Sequence, residues 1–291
     1  MGARLVAEHA AARATMAEAD DAVGFPLTRL CFEGPEAELT RTEVCQPAIL
    51  AVSVATWRAL GPTSGIVPRW VAGHSLGEYT ALVVAGALAF RDAVRLVRLR
   101  GRLMQSAVPD GVGTMAAIVG LEDARVAELC AAAAEGEIVS PANFNGAGQV
   151  VVAGHRAAVA RVMVAAKAAG ARVIALAVSA PFHCALMTPV AAALAQALAE
   201  VEVRTPAVPV VSNVEATLNA DAARIRELLV TQVTAPVRWA ESMRLLRALG
   251  CLRVIEVGPG QVLAKIAQRM KLGLASGSLE DGVGPAAEVR A

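Results

Sequence analysis

The segment Gly73-His74-Ser75-Leu76-Gly77 constrains the fold of this 291-residue chain more than any other feature. It matches the pattern G-x-S-x-G, follows the apolar pair Val71-Ala72 and precedes a run with helical periodicity. In that setting the serine occupies a sharp turn between a strand and a helix, with its hydroxyl exposed above a sheet. The pattern therefore predicts an α/β fold with Ser75 as nucleophile and the Leu76 backbone N–H as an oxyanion donor.

The order of the predicted elements separates a small unit from a larger one. Between residues 113 and 178, apolar periodicity and turn residues predict the order β-α-β-β-α-β, which is the ferredoxin-like arrangement. Before and after this segment, strands and helices alternate as in an α/β domain. We therefore expect an α/β-hydrolase-like large domain with a parallel sheet, formed by residues 1–111 and 180–291, and an inserted ferredoxin-like subdomain of residues 112–179.

Periodicity within the large domain gives more specific expectations. Residues 3–20 are predicted to form one continuous helix. The strand ending at Ala72 and the strand at 253–257 are expected to be buried neighbours in a single parallel sheet. No strong periodicity follows Lys271, so no element is predicted there.

Composition excludes several classes of protein. The 27 basic and 26 acidic residues leave a net charge of +1, whereas a nucleic-acid-binding protein shows a basic excess. The five cysteines include no C-x-x-C pair, which argues against a disulfide framework or a zinc site and favours a reducing cytoplasm. Residues 173–199 carry no Asp, Glu, Lys or Arg, but Pro181, His183 and Pro189 interrupt them, so we expect no membrane span.

A serine nucleophile requires a general base, for which histidine is the usual side chain. The chain has four histidines, namely His9, His74, His155 and His183. His183 is favoured because it lies where the insertion returns to the large domain, near the expected nucleophile. Cys184 is the alternative nucleophile, although a free cysteine is more often an inert, buried apolar residue.

The predicted helix from Arg91 to Ala107 contains one arginine in an unexpected position. Four arginines share a single polar stripe: Arg91, Arg95, Arg98 and Arg102. Arg100 instead lies on the apolar stripe, four residues after Leu96 and three after Val97. A guanidinium that faces the core needs an anionic partner. That partner is either a structural acid elsewhere in the chain or the carboxylate of a substrate, which arginine can bind in a bidentate manner.

Taken together, these motifs resemble the bacterial malonyl-CoA:acyl carrier protein transacylase family. The resemblance extends from residue 1 to about 270 and rests on six segments: Gln46-Pro47-Ala48, Gly73 to Tyr79, Arg100 to Gln105, Asn143 to Val151, Pro181 to Met187 and Glu256 to Gly260. It implies transfer of malonyl from malonyl-CoA to the phosphopantetheine thiol of holo acyl carrier protein, in fatty acid or polyketide biosynthesis. We further expect a cytoplasmic monomer that needs no metal or other cofactor.

The resemblance assigns roles to individual residues. Ser75 is the family's nucleophile, which becomes malonylated, and His183 is its catalytic histidine. Arg100 corresponds to the arginine that binds the malonyl carboxylate. The backbone carbonyl of Gln232 orients the imidazole in place of a carboxylate, a role that nothing in the spacing of residues indicates. Leu76 supplies one oxyanion donor.

The sequence departs from the family at its beginning. Family members start with a strand and a Gly-Gln-Gly loop, and the loop glutamine completes their oxyanion hole, whereas Met1-Gly2 already aligns with the first helix. A missing strand would leave unpaired edge groups in the sheet. We therefore expect the reading frame upstream of Met1 to encode an apolar strand and a loop of this kind.

Two other functions compete with this one. The first is an esterase or thioesterase of the α/β-hydrolase type, but the chain lacks a His-Gly-Gly-Gly segment and an obvious triad acid. An apolar ester would also leave a core-facing Arg100 unexplained. The second is a catalytically inactive binding subunit. The missing N-terminal segment is the one observation that favours it.

Overall fold

The computed structural model describes residues 1–178 and 180–280, and its first third is mainly helical. The elements are α1 (Ala3–Glu8), α2 (Ala10–Val23), α3 (Leu27–Glu33), α4 (Glu36–Leu39), α5 (Thr42–Leu60), β1 (Val71–Ala72), α6 (Gly77–Val84) and α7 (Phe90–Ser106). The long helices α2, α5 and α7 pack together around a core rich in alanine, valine and leucine. This core supports the turn that follows β1.

The predicted helix over residues 3–20 is wrong in one respect, because it is interrupted at His9. That residue has an extended backbone (φ −122°, ψ 121°) and separates α1 from α2. The Arg13 guanidinium donates to the carbonyls of Val6 and Ala7, which replaces hydrogen bonds that α1 loses at its end. The short helices α3 and α4 also lie in a stretch for which no element was predicted.

The inserted segment has the predicted order of elements. It contains β2 (Gly113–Val119), α8 (Asp123–Ala133), β3 (Val139–Gly146), β4 (Gln149–His155), α9 (Arg156–Ala168) and β5 (Arg172–Ala175). Its four strands form one antiparallel sheet in the order β3-β4-β2-β5, and the two helices cover one face around a core of their own. The ferredoxin-like arrangement is therefore confirmed for this segment, while the limits 112 and 179 stay a prediction.

After the insertion the chain returns to the large unit. The remaining elements are α10 (Thr188–Ala199), β6 (Val210–Val211), β7 (Leu218–Asn219), α11 (Ala222–Thr231), α12 (Trp239–Ala248), β8 (Arg253–Glu256), α13 (Val262–Met270) and β9 (Ala275–Ser278). Parallel pairs join β1 to β6 and β8 to β9, while β7 is antiparallel to β6. The unit is thus α/β, as predicted.

The expectation of one parallel sheet containing both β1 and β8 is wrong. Among the described residues β1 belongs to the sheet β1-β6-β7 and β8 to the two-stranded sheet β8-β9. Both β1 and the end of β8 are half-buried rather than buried. The short strands therefore share the surrounding core without sharing hydrogen bonds. β9 was missed because Ala-Ser-Gly-Ser has no apolar alternation.

The segment Thr42–Thr63, which consists of α5 and the short helical turn after it, is the one segment of the described residues that is long and apolar enough to cross a membrane. Two thirds of its most apolar window (67%) is buried inside the protein, where it packs against α2 and α7. Length and composition alone give weak evidence of a span, because core helices of this kind have the same properties.

Two crossings connect the inserted segment to the rest of the chain, and they lie side by side. Gly113, the first residue of β2, is so close to Pro181 that a Cβ atom on Gly113 would lie 2.3 Å from Pro181 Cγ. Strand β3 makes further backbone contacts with the large unit, since Phe144 N donates to Val237 O and Val237 N donates to Ala142 O. The two units are therefore in close contact next to residues 181–183.

Candidate active site

The turn between β1 and α6, residues 73–77, has the geometry of a nucleophile elbow. Ser75 has φ 52°, in the left-handed region, which holds its side chain out of the turn. A Cβ atom on Gly73 would lie 1.9 Å from the carbonyl of Gly77, so only glycine allows the chain to turn this sharply. Leu76 follows as the N-cap of α6. The local structure is the one that G-x-S-x-G predicts.

His183 lies directly against the elbow. Its Nε2 is 2.7 Å from Ser75 Oγ and its Nδ1 is 2.8 Å from the backbone carbonyl of Gln232. The side chain is buried, and burial, followed by the charge of Arg100, lowers the pKa of His183 to about 3, although the hydrogen bond to Gln232 raises it. A neutral imidazole whose Nδ1–H is held by a carbonyl has Nε2 free to accept a proton.

Helix α7 brings a guanidinium to the same place. Arg100 is only 1% exposed, and its Nη2 donates to Ser75 Oγ (3.0 Å) and to Gln232 Oε1 (2.9 Å). Its Nη1 donates to Gln46 Oε1 (2.8 Å), and the Tyr79 ring lies 5.6 Å away. Nε has no hydrogen-bond partner among the described residues, and no described carboxylate lies within ion-pair distance of this guanidinium.

The other arginines of α7 behave as a solvated face. Arg91, Arg95 and Arg102 are exposed, and Arg98 is half-buried with its guanidinium 4.9 Å from the centre of the Phe25 ring. This contrast with Arg100 follows from the periodicity of the helix.

Two buried polar residues that were not selected from the sequence, Asn213 and Glu78, complete the site. Asn213 accepts from Ser75 N (2.6 Å) and donates to Gly73 O (2.6 Å), which fixes both sides of the elbow. The Glu78 carboxylate accepts from Asn213 N (3.1 Å) and from Gln232 Nε2 (2.7 Å). One signal was available: Asn213 lies two residues after the end of β6, whose carboxyl end lies beside that of β1.

The remaining histidines have other contacts. His74 points away from Ser75 and its Nε2 lies 2.9 Å from Asn145 Oδ1, so it joins the elbow to the hairpin of the inserted unit. Its pKa is lowered by burial, although the contact with Asn145 raises it. His155 Nδ1 accepts from Ile138 N, and His9 lies between α1 and α2. The Cys184 thiol is buried, and burial raises its pKa to about 11.

The described residues contain no group of three or more His, Cys, Asp or Glu side chains that could hold a metal ion. The groups that meet at Ser75 are a hydroxyl, a neutral imidazole and a guanidinium. A serine hydroxyl beside a buried neutral imidazole, on a strand–turn–helix elbow, defines the serine-dependent class of acyl-transferring and hydrolytic proteins.

Comparison with known proteins identifies the family within this class. The family model for the acyl transferase domain matches residues 1–278. The chain belongs to this acyl transferase family and, among its members, to the malonyl CoA-acyl carrier protein transacylases.

Three relatives show the extent of the similarity. The malonyl CoA-acyl carrier protein transacylase of Salmonella typhimurium is 49% identical over 282 residues, which cover 97% of this chain and 91% of the relative. A crystal structure of an acyl carrier protein S-malonyltransferase from Vibrio cholerae has a TM-score of 0.92 and 47% identity, covering 96% and 91% of the two chains. A malonyl-transacylase solved in complex with a type II PKS acyl-carrier protein has a TM-score of 0.93 and 46% identity, covering 96% and 90%.

Proposed function

We propose that this chain transfers a malonyl group from malonyl-CoA to the phosphopantetheine thiol of a holo acyl carrier protein, through a malonyl ester on Ser75. The observation that carries the proposal is the environment of Arg100. Its guanidinium is buried 3.0 Å from Ser75 Oγ and is held by amide oxygens rather than by a carboxylate of the described chain. A buried cation in this position is suited to the free carboxylate of a malonyl group.

In the first half-reaction, Ser75 is the nucleophile and His183 the general base. His183 Nε2 takes the Ser75 proton while Oγ attacks the thioester carbonyl, and the Leu76 N–H stabilises the resulting oxyanion. When the intermediate collapses, the carbon–sulfur bond breaks and the imidazolium returns its proton to the coenzyme A thiolate. The Gln232 carbonyl keeps the Nδ1 proton in place throughout.

The second half-reaction repeats these steps with the carrier protein. The phosphopantetheine thiol gives its proton to His183 and attacks the malonyl ester. The bond between the acyl carbon and Ser75 Oγ then breaks, and Oγ recovers a proton from the imidazolium. Arg100 binds the malonyl carboxylate in both halves. These steps use no metal or redox cofactor, and we propose that the protein acts as a cytoplasmic monomer in fatty acid or polyketide biosynthesis.

The role of Ser75 is tested by the covalent intermediate. Among the described residues, Ser75 Oγ is the nucleophilic atom hydrogen-bonded to His183 Nε2, and the Cys184 thiol is directed to Pro181 O. Incubation of the Ser75→Ala variant with malonyl-CoA is therefore expected to give no malonyl adduct by intact-mass measurement. The wild-type protein is expected to carry one adduct, and its discharge should require holo carrier protein. A full adduct on the alanine variant would refute the assignment, and rapid discharge to water would favour a hydrolase.

The role of Arg100 is tested by substrate selectivity. Arg100→Ala should reduce malonyl transfer about tenfold or more relative to acetyl transfer, because only malonyl offers a carboxylate and a charged hydrogen bond contributes about 1.5–3 kcal/mol. Arg102→Ala, on the exposed face of the same helix, is the matched control and should leave the ratio unchanged. Equal losses of malonyl and acetyl transfer in the Arg100 variant would make it a structural residue.

A further inference from the structure

Glu78 is a buried carboxylate to which the mechanism above gives no task. It lies in the first turn of α6, is 5% exposed, and contacts neither Ser75 Oγ nor the His183 ring through a hydrogen bond. A single oxygen, Oε2, accepts both of its hydrogen bonds, one from the backbone N–H of Asn213 and one from the side-chain amide of Gln232. Glu78 therefore connects the elbow to the residue that supports both His183 and Arg100.

The side-chain amide of Gln232 lies between hydrogen-bond acceptors on one side and a donor on the other. Its Nε2 faces two acceptors, Glu78 Oε2 (2.7 Å) and Ser75 O (3.2 Å), while its Oε1 faces the Nη2 donor of Arg100 (2.9 Å). Rotation of the amide by half a turn would direct an NH₂ group at the guanidinium and an oxygen at the carboxylate. Burial raises the pKa of Glu78, whereas the bonds from Asn213 and Gln232 and the charge of Arg100 lower it and favour the ionised form. In that form the carboxylate accepts hydrogen bonds and cannot donate them, so it permits only the first orientation.

We propose that Glu78 is a positioning residue, which fixes the Gln232 amide with its oxygen towards Arg100 and thereby keeps the guanidinium in place for a substrate carboxylate. This inference rests on the proposed function, because the consequence of the arrangement is selectivity for malonyl. Glu78 acts through Gln232 and does not itself touch the acyl group.

The environment of Glu78 is consistent with a functional rather than a structural role. Within the described residues its carboxylate makes no ion pair, and Arg100 reaches it only across the Gln232 amide. Burial raises the pKa of Glu78 to about 7, although the bonds from Asn213 and Gln232 and the charge of Arg100 lower it. Burying an unpaired carboxylate opposes folding, and such groups are concentrated at functional sites.

Two conservative variants separate the position of the oxygen from its charge. Glu78→Asp keeps the charge but withdraws the carboxylate from Gln232 by one methylene. Glu78→Gln keeps the length and an oxygen at the position of Oε2, which can accept both bonds, but removes the charge. We expect the ratio of malonyl to acetyl transfer to fall about tenfold in Glu78→Asp, in the same direction as in Arg100→Ala, and to stay within about threefold of wild type in Glu78→Gln.

The matched controls are Glu256→Asp and Glu256→Gln. The Glu256 carboxylate also accepts a backbone N–H, from Ala264, and it has no bond to Gln232. Both Glu256 variants should keep the wild-type ratio. The proposal is overturned if Glu78→Asp keeps the ratio, if Glu78→Gln loses it to the same extent, or if Glu256→Asp lowers it equally.

A second variant keeps the proposal testable if Glu78→Asp does not fold. Gln232→Met removes the amide but retains the backbone carbonyl that holds His183, and it should lower the ratio as Glu78→Asp does. An unchanged ratio in Gln232→Met overturns the proposal. If Arg100→Ala leaves the ratio of malonyl to acetyl transfer unchanged, the proposed carboxylate site fails together with this inference. If Arg100→Ala lowers the ratio but Glu78→Asp does not, this inference alone is refuted.

Discussion

At the scale of single residues, the surroundings of His183, the general base that we propose, include no hydrogen bond to a carboxylate of the described residues. His183 Nδ1 contacts a backbone carbonyl, which fixes the tautomer without adding a negative charge that would favour the imidazolium. Arg100 opposes protonation of the ring as well. The imidazole is thus kept in the form that can accept the Ser75 proton over the whole neutral range.

We expect the His183 ring to remain almost wholly unprotonated at pH 5, because burial and Arg100 lower its pKa from 6.5 to about 3. NMR of protein with ¹³C-labelled histidine measures this titration directly, and a His183→Asn variant assigns the signal. Between about pH 3 and 6.5 the imidazole is protonated in the unfolded chain but not in the folded one. The contribution of His183 to the free energy of unfolding is therefore complete above this range and is lost as pH falls through it. A titration midpoint at or above 6.5 would contradict this account.

The sequence identified some residues of the site for physical reasons and others only by resemblance. Ser75 follows from a strand–turn–helix motif, and Arg100 from its place on an apolar helical stripe. Gln232 came from the resemblance alone, because every residue has a backbone carbonyl and the residue type does not show which carbonyl contacts His183. Glu78 and Asn213 were not selected, since their roles depend on which polar atoms meet across elements that are distant in the sequence.

At the scale of elements, the elbow depends on the close approach of Gly73 to the first turn of α6. Gly73→Ala would place a Cβ atom 1.9 Å from the Gly77 carbonyl and 2.5 Å from Glu78 N. We expect it to lower the free energy of unfolding by about 1–3 kcal/mol, the usual effect of overpacking, and to displace Ser75. Thermal unfolding and malonyl adduct formation measure the two effects.

Gly77→Ala is the matched control within the same motif. A Cβ atom at Gly77 meets no other atom within 4 Å, and the residue is already helical. Its melting temperature should therefore stay at or above that of the wild-type protein, since alanine favours a helix by about 0.5–1 kcal/mol over glycine. Similar destabilisation by both substitutions would show that the space available for a Cβ atom does not determine the effect at Gly73.

Elements with clear periodicity were predictable, and elements defined by their partners were not. The helix α7 and the β-α-β-β-α-β order of the inserted segment follow from local patterns of apolar residues. The break at His9 is accompanied by hydrogen bonds from the Arg13 side chain that apolar periodicity does not reveal, and β9 forms from an almost featureless segment because β8 lies beside it. Such contacts cannot be deduced from local sequence.

At the scale of the whole molecule, the general architecture was predictable but the sheet of the large unit was not. Alternating elements indicate an α/β unit with an insertion. The pairing of two- and four-residue strands is not specified by composition, and the structure divides them between two sheets. Strands this short have too few side chains to define a register or a neighbour.

The junction of the two units should control the position of His183. Gly113→Ala would place a methyl group 2.3 Å from the Pro181 ring, two residues before His183, and proline is too rigid to yield. We expect malonylation of Ser75 to slow by about 10- to 100-fold, because small displacements of catalytic groups have effects of this size. Stopped-flow or quenched-flow mass measurement of the adduct gives the rate.

Gly277→Ala, in β9, is the control for this substitution because its Cβ position is open. It should malonylate at the wild-type rate. Equal rates of malonylation for Gly113→Ala and the wild-type protein would mean that the segments at Gly113 and Pro181 can move apart without displacing the His183 imidazole.

The left-handed backbone conformations of Ser75 and His183 have a consequence for how this protein can change over time. Ser75 (φ 52°) and His183 (φ 59°) both hold backbone geometries that are unfavourable for any residue with a side chain. The proposed reaction therefore needs side chains at the two positions where glycine would make the folded protein more stable. A related protein that no longer needed turnover would become more stable by accepting glycine there, so loss of the two side chains that we propose to be catalytic would accompany a rise in melting temperature.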